Sequence, residues 1–519
     1  MKRFNVTGLC TPEEDYMVDI SGKIEQIKQL VDDRSYFTIN RARQYGKSTT
    51  LNTLKRTLSN EYICINLSFE GVGTTMFADA QSFCQRFLWQ SDMAAENGST
   101  EKIEWQNDKI TDFDQLSVYL TRICKRKKIV LMIDEVDKAQ NHEIFLHFLG
   151  MLRNKFNERK SGVGATFHSV ILAGVHDIKN IKTKMISEGS HAPNETEDKK
   201  YDSPWNIAID FDVDMSFSHD EIATMLKDYE AEHNLGIDIA LISEEIYSYT
   251  SGYPFLVSRI CKHIDEKLDK NWAVDGVREA VKILLAEKNT LFDDLFKNLE
   301  NSKALYKLIY DVLIVGSKRI FNPDNPTLNL GLIYGIIKES GRYAIISNRI
   351  FEIRICDYFI SKDEEKESNN TSMILQRDVI KNGRFDMELC LRKFADHYAE
   401  IFNKTDFEFL ERHGRLVFLS YLRPLINGLG FYHIESQFTD LRRMDIVVDF
   451  GQDQFILELK LWKGEKAHEE AYEQLLGYME SKKAKTGYLM TFDFRKEKNK
   501  ERKTEWAEFD DKKIFDVMI

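Results

Sequence analysis

The first 215 residues alternate short apolar runs with amphipathic stretches, and this alternation constrains the fold more than any other feature of the chain. The apolar runs are short and rich in β-branched residues, which is typical of buried strands. Four of them are predicted to be strands, at residues 35–40, 62–67, 129–133 and 169–173. Strands that alternate with helices predict a parallel α/β sheet that is covered by helices on both faces.

Length and composition exclude several classes of protein. The chain has 519 residues, which at about 150 residues per domain indicates roughly three domains. Hydrophobic residues make up 43% of the sequence, so a mostly disordered chain is excluded. The apolar runs are far shorter than the ~20 residues that a membrane helix needs, and the first residues lack the apolar core of a secretory signal. We therefore expect no membrane association.

The cysteines indicate the compartment. There are 7 of them, scattered along the chain and without a Cys-x-x-Cys pair. An odd, dispersed set is typical of reduced thiols and favours neither a disulfide framework nor a zinc site. We expect a cytoplasmic protein.

A Gly-Lys-Ser-Thr sequence at residues 46–49 lies between a predicted strand and a predicted helix. In this context the backbone N–H groups face phosphates, Lys47 reaches the β- and γ-phosphate oxygens, and the Ser48 hydroxyl holds Mg²⁺. Arg41 stands where the consensus has its first glycine, a residue that often supplies a positive φ. The residues predicted to bind ATP in this loop are Arg41, Arg43, Gly46, Lys47, Ser48 and Thr49.

Two acids follow the apolar run at 129–133, about 87 residues after the lysine. Asp134 is predicted to be a cofactor-binding residue near Mg²⁺, and Glu135 to orient or activate the water that attacks ATP. The alternative is a parallel-sheet protein in which Ser48 only caps a helix and both acids are solvated.

The segments NRARQYGKST, VLMIDEVD, ILAGVHDI and SPWNIA resemble the bacterial AAA-ATPase-like family. The resemblance covers about residues 5–215. It implies ATP binding, with an arginine-rich loop in place of the first glycine. In related ATPases the helical lid that follows carries a phosphate-sensing arginine, and Arg259 matches that region loosely. The alternative for Arg259 is a solvated charge on a helix.

A carboxylate and lysine pattern lies near the C-terminus. Glu458 and Lys460 are two apart on a predicted strand at 455–461 and so share one face. If the preceding strand, 444–450, turns near 451–453, Asp445 faces residues 458–460. Asp445 and Glu458 are then predicted metal ligands, because paired carboxylates suit Mg²⁺ or Mn²⁺. Lys460 would position the water that such an ion activates.

Gln474 and Tyr478 are four apart on a predicted helix and share one of its faces. Together the D…ExK…QxxxY pattern resembles the PD-(D/E)xK nuclease superfamily, in the branch fused behind AAA-ATPase-like domains. The resemblance implies cleavage of DNA, with RNA left open, and makes Gln474 a catalytic residue. It also implies a further acid in a preceding helix, for which Glu411 is the nearest candidate. The alternative is a surface strand pair with a salt bridge.

The charge balance does not contradict a nucleic-acid substrate. The whole chain has a formal net charge of −12, but residues 401–519 contain 20 basic and 22 acidic residues, a balance of −2. Some of those acids are the predicted metal ligands, so a local basic groove remains compatible with the sequence.

These observations lead to one hypothesis and one rival. The hypothesis is an ATPase whose nucleotide state controls a Mg²⁺-dependent deoxyribonuclease, with a homo-oligomer left open. The rival is an ATP-dependent signalling or scaffold switch whose C-terminal domain binds a partner or nucleic acid without cutting it. The predicted parts are an AAA-like P-loop ATPase core at 1–215, a helical lid at 216–300, a winged-helix-like unit at 301–360, a linker at 361–372 and a restriction-endonuclease-like α/β domain at 373–519.

Overall fold

The structure is a computed structural model, and the chain in it divides into two compact units. The first unit contains residues 1–280 and 333–335, and the second contains 281–332 and 336–519. The described residues are 2–96, 110–139, 142–175, 205–313, 319–364, 379–381, 383–401, 418–419, 421–423, 425–426, 430–433, 446–451, 453–493 and 504–519.

Four parallel strands form the central sheet of the first unit. They are β1 (Tyr36–Asn40), β2 (Ile63–Ser68), β3 (Ile129–Asp134) and β4 (Ser169–Gly174). Their order in the sheet is β1-β4-β3-β2. β3 and β4 are buried along their whole length, as strands covered on both faces must be. The predicted parallel α/β sheet is confirmed, and each predicted strand end lies within one residue of the observed end.

Five helices cover this sheet: α1 (Ser21–Asp32), α2 (Lys47–Leu58), α3 (Ala80–Glu96), α4 (Phe113–Cys124) and α5 (Glu143–Lys160). Successive residues of β3 point to opposite faces, as side chains in a strand do. Val130 packs among apolar residues of α1 and α2, whereas Leu131 packs among those of α3, α4 and α5. The sheet therefore separates two apolar cores.

Helices continue from residue 219 in α6 (His219–His233), α7 (Ile239–Thr250), α8 (Pro254–Lys267) and α9 (Val274–Ala286). A capping box begins α6, because the Ser218 hydroxyl accepts from Glu221 N and the Glu221 carboxylate accepts from Ser218 N. The break between α7 and α8 requires glycine at residue 252. Gly252 has φ +73°, and a Cβ there would lie 1.8 Å from the carbonyl oxygen of Phe217.

The part of the chain from residue 290 to 364 includes the segment, 301–360, that is predicted to be a winged-helix-like unit. Its elements are α10 (Thr290–Asn301), α11 (Lys303–Leu313), β5 (Arg319–Ile320), α12 (Pro326–Ile333), β6 (Ile337–Ser340), β7 (Tyr343–Ile346) and α13 (Arg349–Glu364). The three strands form an antiparallel sheet in the order β5-β7-β6.

The predicted linker at 361–372 differs from the structure at its start. Helix α13 continues through Glu364, and the rest of that linker lies outside the described residues. The Ser361 hydroxyl donates to the Tyr358 carbonyl at 2.9 Å, and Lys362 pairs with Glu300 at 2.8 Å. A polar stretch typical of a linker is thus held as an additional helical turn.

Helix α13 also contacts the C-terminal sheet inside the second unit. Arg349 pairs with Asp449 at 2.6 Å, and the Tyr432 hydroxyl donates to Asp357 at 2.8 Å. Burial raises the pKa of the Asp357 carboxyl, which the nearby Arg423 guanidinium partly offsets. The segment predicted as 301–360 therefore packs with the C-terminal sheet in one compact unit.

The C-terminal part is a six-stranded mixed sheet with helices. Its elements are β8 (Ile380–Lys381), β9 (Arg384–Phe385), α14 (Met387–Ile401), β10 (Gly430–His433), β11 (Ile446–Phe450), β12 (Asp453–Leu461), α15 (Glu465–Ser481), β13 (Thr486–Phe492), β14 (Thr504–Phe509) and β15 (Lys512–Met518). The large sheet has the order β10-β11-β12-β13-β15-β14. α15 connects the parallel strands β12 and β13, and its apolar residues pack on the sheet around Leu475 and Leu489.

Two general findings concern the described residues as a whole. No helix among them is long and apolar enough to cross a bilayer. All seven cysteines lie in the described part of the chain, and none of them forms a disulfide there.

Candidate nucleotide and nuclease sites

The loop between β1 and α2 has the backbone of a phosphate-binding turn. It leaves the sheet at Asn40 and enters α2 at Lys47. Gln44 and Gly46 have φ of 57° and 78°, so the left-handed positions lie in the second half of the loop. The N-terminus of α2 then presents its free N–H groups at the carboxyl edge of a parallel sheet, where anions bind.

Lys47 closes this loop in the structure. Its Nζ donates to the carbonyl oxygens of Arg41 at 2.9 Å and Ala42 at 2.8 Å. Burial lowers the pKa of the Lys47 ammonium, and the charges of Glu135 and Asp134 partly restore it. The ammonium is thus desolvated and held by two weak acceptors, which a phosphate anion can replace.

Ser48 and the acids after β3 lie together, as predicted from the two motifs. The Ser48 hydroxyl donates to an Asp134 carboxylate oxygen at 2.5 Å, and the other Asp134 oxygen accepts from Glu135 N at 2.9 Å. Burial raises the pKa of Glu135, as does the neighbouring charge of Asp134. A hydroxyl and a carboxylate in contact are hard oxygen donors, so these residues fit Mg²⁺.

Arg41 has a structural role that the sequence did not indicate. Its guanidinium donates to the carbonyl oxygens of Asn40 at 2.9 Å and Val213 at 3.0 Å, and lies over the ring of Phe211. Burial lowers the pKa of the guanidinium. Residue 41 is outside the left-handed region, so the turn needs no glycine there. A direct contact of Arg41 with ATP stays a prediction.

Replacing Arg41 by the consensus glycine is expected to destabilise the first unit. The Arg41→Gly variant loses two hydrogen bonds from a charged donor, each of which contributes about 1.5–3 kcal/mol. We expect the free energy of unfolding to fall by about 3–6 kcal/mol, measured as a lower midpoint in urea. Arg43→Gly is the matched control, because Arg43 is exposed and gains the same backbone freedom. Equal midpoint shifts in the two variants would contradict the role of Arg41.

Two tyrosines brace the loop and were not assigned a role from the sequence. The Tyr253 hydroxyl donates to the Arg43 carbonyl oxygen at 2.7 Å, and its ring meets that of Tyr45 with centroids 4.6 Å apart. Tyr45 in turn shares a 2.7 Å hydrogen bond with Ser216. The sequence feature that could have indicated this role is the Gly-Tyr-Pro break between two helices, because it brings Tyr253 to the loop.

The other predicted residues of this site lie at its edges. The Thr49 hydroxyl accepts a hydrogen bond from Cys10 N at 3.3 Å, so it faces the N-terminal segment. Arg259 is half-buried on α8, and its predicted sensing role stays a prediction.

In the second unit, Glu458 and Lys460 form the centre of the candidate nuclease site. Both lie on β12, and the Lys460 Nζ is 2.6 Å from a Glu458 carboxylate oxygen. The Glu458 side chain is 0% exposed and that of Lys460 is 28% exposed. A fully buried carboxylate must be paired with a cation or hydrogen-bonded, and here Lys460 is its neighbour, so Glu458 fits a role as a ligand of a divalent ion.

The remaining predicted residues of this site are described only in part. Gln474 donates to the Tyr478 hydroxyl at 3.2 Å, which confirms that the two share a face of α15. Asp445 and Glu411 lie outside the described residues. β11 and β12 pair with Ile446 opposite Leu457, close to the predicted register. Among the described residues no group of three or more His, Cys, Asp or Glu is arranged to hold a metal ion.

Residues 16–354 match the AAA-like domain family. The chain belongs to the AAA-like family. In this AAA-like protein residues 429–504 also match the PD-(D/E)XK nuclease superfamily, and that segment contains Glu458, Lys460 and Gln474. The predicted fusion of the two is confirmed.

Several solved structures are similar to this AAA-like chain. The Walker-type ATPase paby2304 of Pyrococcus abyssi is 12% identical, with 67% of this chain and 98% of that chain covered and a TM-score of 0.45. The ORC2 protein of Aeropyrum pernix, in ADPNP and ADP complexes, is 11% identical, with 70% and 98% covered and a TM-score of 0.39. Cdc6p of Pyrobaculum aerophilum is 13% identical, with 70% and 98% covered and a TM-score of 0.32.

No curated protein matches the chain.

Proposed function

We propose that this protein binds and hydrolyses ATP and that its C-terminal domain is a metal-dependent deoxyribonuclease under the control of the nucleotide state. The observation that carries the nuclease half is the wholly buried Glu458 carboxylate, paired at 2.6 Å with Lys460 inside the segment that matches the nuclease superfamily. A buried carboxylate can bind a metal ion, and a lysine beside it on the same strand face can position the water that attacks a phosphodiester.

At the nucleotide site, the proposal assigns a step to each residue. Lys47 exchanges the carbonyls of Arg41 and Ala42 for phosphate oxygens, and α2 adds its N-terminal N–H groups. Ser48 and Asp134 would hold Mg²⁺, which would supply charge neutralisation at the phosphates. Glu135 orients the attacking water, and its raised pKa makes it a better proton acceptor than an exposed glutamate.

At the nuclease site, Asp445 and Glu458 would hold Mg²⁺ or Mn²⁺, which supplies a water of lowered pKa and stabilises charge on the phosphodiester. Lys460 orients the attacking water and neutralises the developing negative charge. Gln474 holds the Tyr478 hydroxyl on the helix face toward the sheet. We propose DNA as the substrate and keep RNA as an outcome of the test.

The proposal is tested by a cleavage assay on purified protein with labelled double-stranded DNA, single-stranded DNA and RNA. Each substrate is incubated with Mg²⁺ or Mn²⁺, with and without ATP, and an EDTA control. We expect metal-dependent cleavage of at least one DNA form. If ATP is hydrolysed while every substrate stays intact, the rival reading, a switch that binds a partner or nucleic acid without cutting, replaces the nuclease. The cysteines, which form no disulfide in the described part of the chain, support our proposal of a reducing, cytoplasmic location.

The proposed control by ATP has a physical basis in residues 333–335. They pack with the first unit, whereas the chain on both sides of them belongs to the second. Gly335 has φ +66°, and a Cβ on it would lie 3.1 Å from the Ala42 Cβ and 3.6 Å from the Tyr253 ring. When Lys47 leaves the Ala42 carbonyl for a phosphate, the loop against Gly335 rearranges. We propose that this rearrangement travels along the chain to the second unit.

A pair of glycine variants tests this route. Gly335→Ala places a methyl group against Ala42, so we expect ATP to change the rate of DNA cleavage by less than half as much as in the wild type. Gly341→Ala is the matched control, because Gly341 has φ +59° but open space around it. It carries the same backbone strain without the contact, and we expect the full ATP effect. An unchanged ATP effect in Gly335→Ala would contradict the route through residues 333–335.

A further inference from the structure

A buried aspartate lies on the same sheet as the candidate nuclease residues and is not part of the predicted site. Asp516, on β15, is 0% exposed. One of its carboxylate oxygens accepts from the Tyr472 hydroxyl at 2.5 Å and is 2.7 Å from His468 Nε2. Burial and the bond to Asp516 raise the pKa of the Tyr472 phenol, so that hydroxyl stays a donor. Both partners lie one helical turn apart on α15.

The hydrogen bond to Asp516 determines whether His468 donates to its other neighbour, Thr491, or accepts from it. We assign the Nε2 proton to this hydrogen bond, because a carboxylate oxygen accepts. In the neutral imidazole Nδ1 is then an acceptor, and the Thr491 hydroxyl lies 3.4 Å from it. His468 therefore links Asp516 to Thr491 through opposite sides of its ring. Its side chain is only 13% exposed, which keeps the ring in place.

The sheet register brings this cluster next to the nuclease residues. Thr491 on β13 is the register partner of Lys460, and Leu489 is the partner of both Glu458 and Asp516. Register partners on adjacent strands share a face and lie about 4.8 Å apart. Thr491 thus stands beside Lys460 on the face that α15 covers.

A second contact places His468 near the same strand end. The ring of Trp462, two residues after Lys460, has its centroid 5.4 Å from that of His468. His468 also lies in the first turns of α15, which follows the carboxyl end of β12. Two independent contacts, with Thr491 on β13 and with Trp462 just after β12, therefore place His468 beside the end of the strand that carries Lys460.

We propose that His468, held by Asp516 and Tyr472, is a positioning residue that acts on Lys460 through Thr491; the inference rests on the proposed nuclease function. A lysine side chain loses conformational entropy when it is fixed, and a neighbour that already restricts it reduces that loss during the reaction. Thr491, itself 1% exposed and oriented by His468, limits the positions of the Lys460 stem and keeps its ammonium on Glu458. His468 does not touch the substrate in this scheme.

An isosteric pair of variants of the full-length protein tests the proposal. Thr491→Val keeps the shape of the side chain but removes the hydroxyl, and we expect kcat for DNA cleavage to fall about tenfold with KM unchanged. Thr491→Ser keeps the hydroxyl, and we expect a rate within about twofold of the wild type. Thermal unfolding of both variants checks that the fold is intact. A structural role alone would not separate Ser from Val in kcat at equal Tm.

A spectroscopic measurement tests the hydrogen bonds among Asp516, His468 and Thr491 independently of activity. In imidazole ¹⁵N spectra of histidine-labelled protein, with the His468 signal assigned from its loss in His468→Gln, we expect Nε2 protonated and Nδ1 unprotonated. We expect the Nδ1 shift to change in Thr491→Val. A protonated Nδ1 in neutral His468, or equal kcat in Thr491→Val and wild type, would overturn the inference alone. A wild type that cuts no nucleic acid would overturn the proposed nuclease and the inference together.

Discussion

The Lys47→Ala variant is expected to hydrolyse ATP at least about a hundredfold more slowly than the wild type. The ammonium is buried at the start of α2 and held by two carbonyl oxygens that phosphate oxygens replace. In a water-excluded site, loss of one preorganised charge or donor reduces turnover by about 10²- to 10³-fold. The measurement is steady-state phosphate release, together with the affinity for a fluorescent ATP analogue.

The control for this prediction is Arg56→Ala. Arg56 lies on the same helix and pairs with Glu13 on the surface at 3.0 Å, so its removal takes away one positive charge without touching the loop. We expect wild-type turnover from it. Lys47→Met, which keeps the apolar stem, separates loss of charge from loss of packing. Turnover in Lys47→Met and Lys47→Ala equal to that of the wild type would show that the loop is not the site of hydrolysis.

The Lys460→Ala variant is expected to lose DNA cleavage by about 10²- to 10³-fold while ATP hydrolysis stays within about twofold of the wild type. Lys460 pairs at 2.6 Å with the buried Glu458, so we expect its ammonium to meet the substrate phosphate beside that carboxylate. The alanine variant also leaves the Glu458 charge buried without this partner, so we expect a clear drop in Tm, which is measured alongside the rates. Cleavage rates on labelled DNA and phosphate release are measured on the same preparation.

Lys513→Ala is the matched control for Lys460→Ala. Lys513 is an exposed lysine on β15 of the same sheet, 3.8 Å from Glu508. Its removal changes the net charge equally, and we expect cleavage within about twofold of the wild type. Equal losses of cleavage in the two variants would indicate that both lysines only attract the polyanion and that Lys460 has no special position.

The parts of the fold and site that were predictable depend on local sequence. Gly46, Lys47 and Ser48 follow β1 after a short loop, and their backbone and helix position are set within a few residues. Asp134 ends an apolar strand, and parallel strands bring their carboxyl ends to one edge, so its contact with Ser48 was expected across 86 residues. Glu458 and Lys460 are two apart on one strand, which alone places them on one face.

The parts that were not predictable depend on contacts between distant segments. Arg41 seemed to be a missing glycine because its partner, the Val213 carbonyl, is 172 residues away in sequence. His468 and Asp516 are 48 residues apart, and only the strand order places β15 beside β13. Asp445 lies outside the described residues, so its approach to Glu458 stays a prediction from the hairpin register.

If nucleotide bound to the first unit controls DNA cleavage by the second, the effect of ATP on cleavage must depend on Lys47. The initial rate of metal-dependent DNA cleavage is measured with and without ATP, in the wild type and in Lys47→Ala side by side. We expect ATP to change the rate of DNA cleavage severalfold in the wild type and to leave it unchanged in Lys47→Ala. An equal ATP effect in both proteins, or DNA that stays intact under every condition, would contradict it.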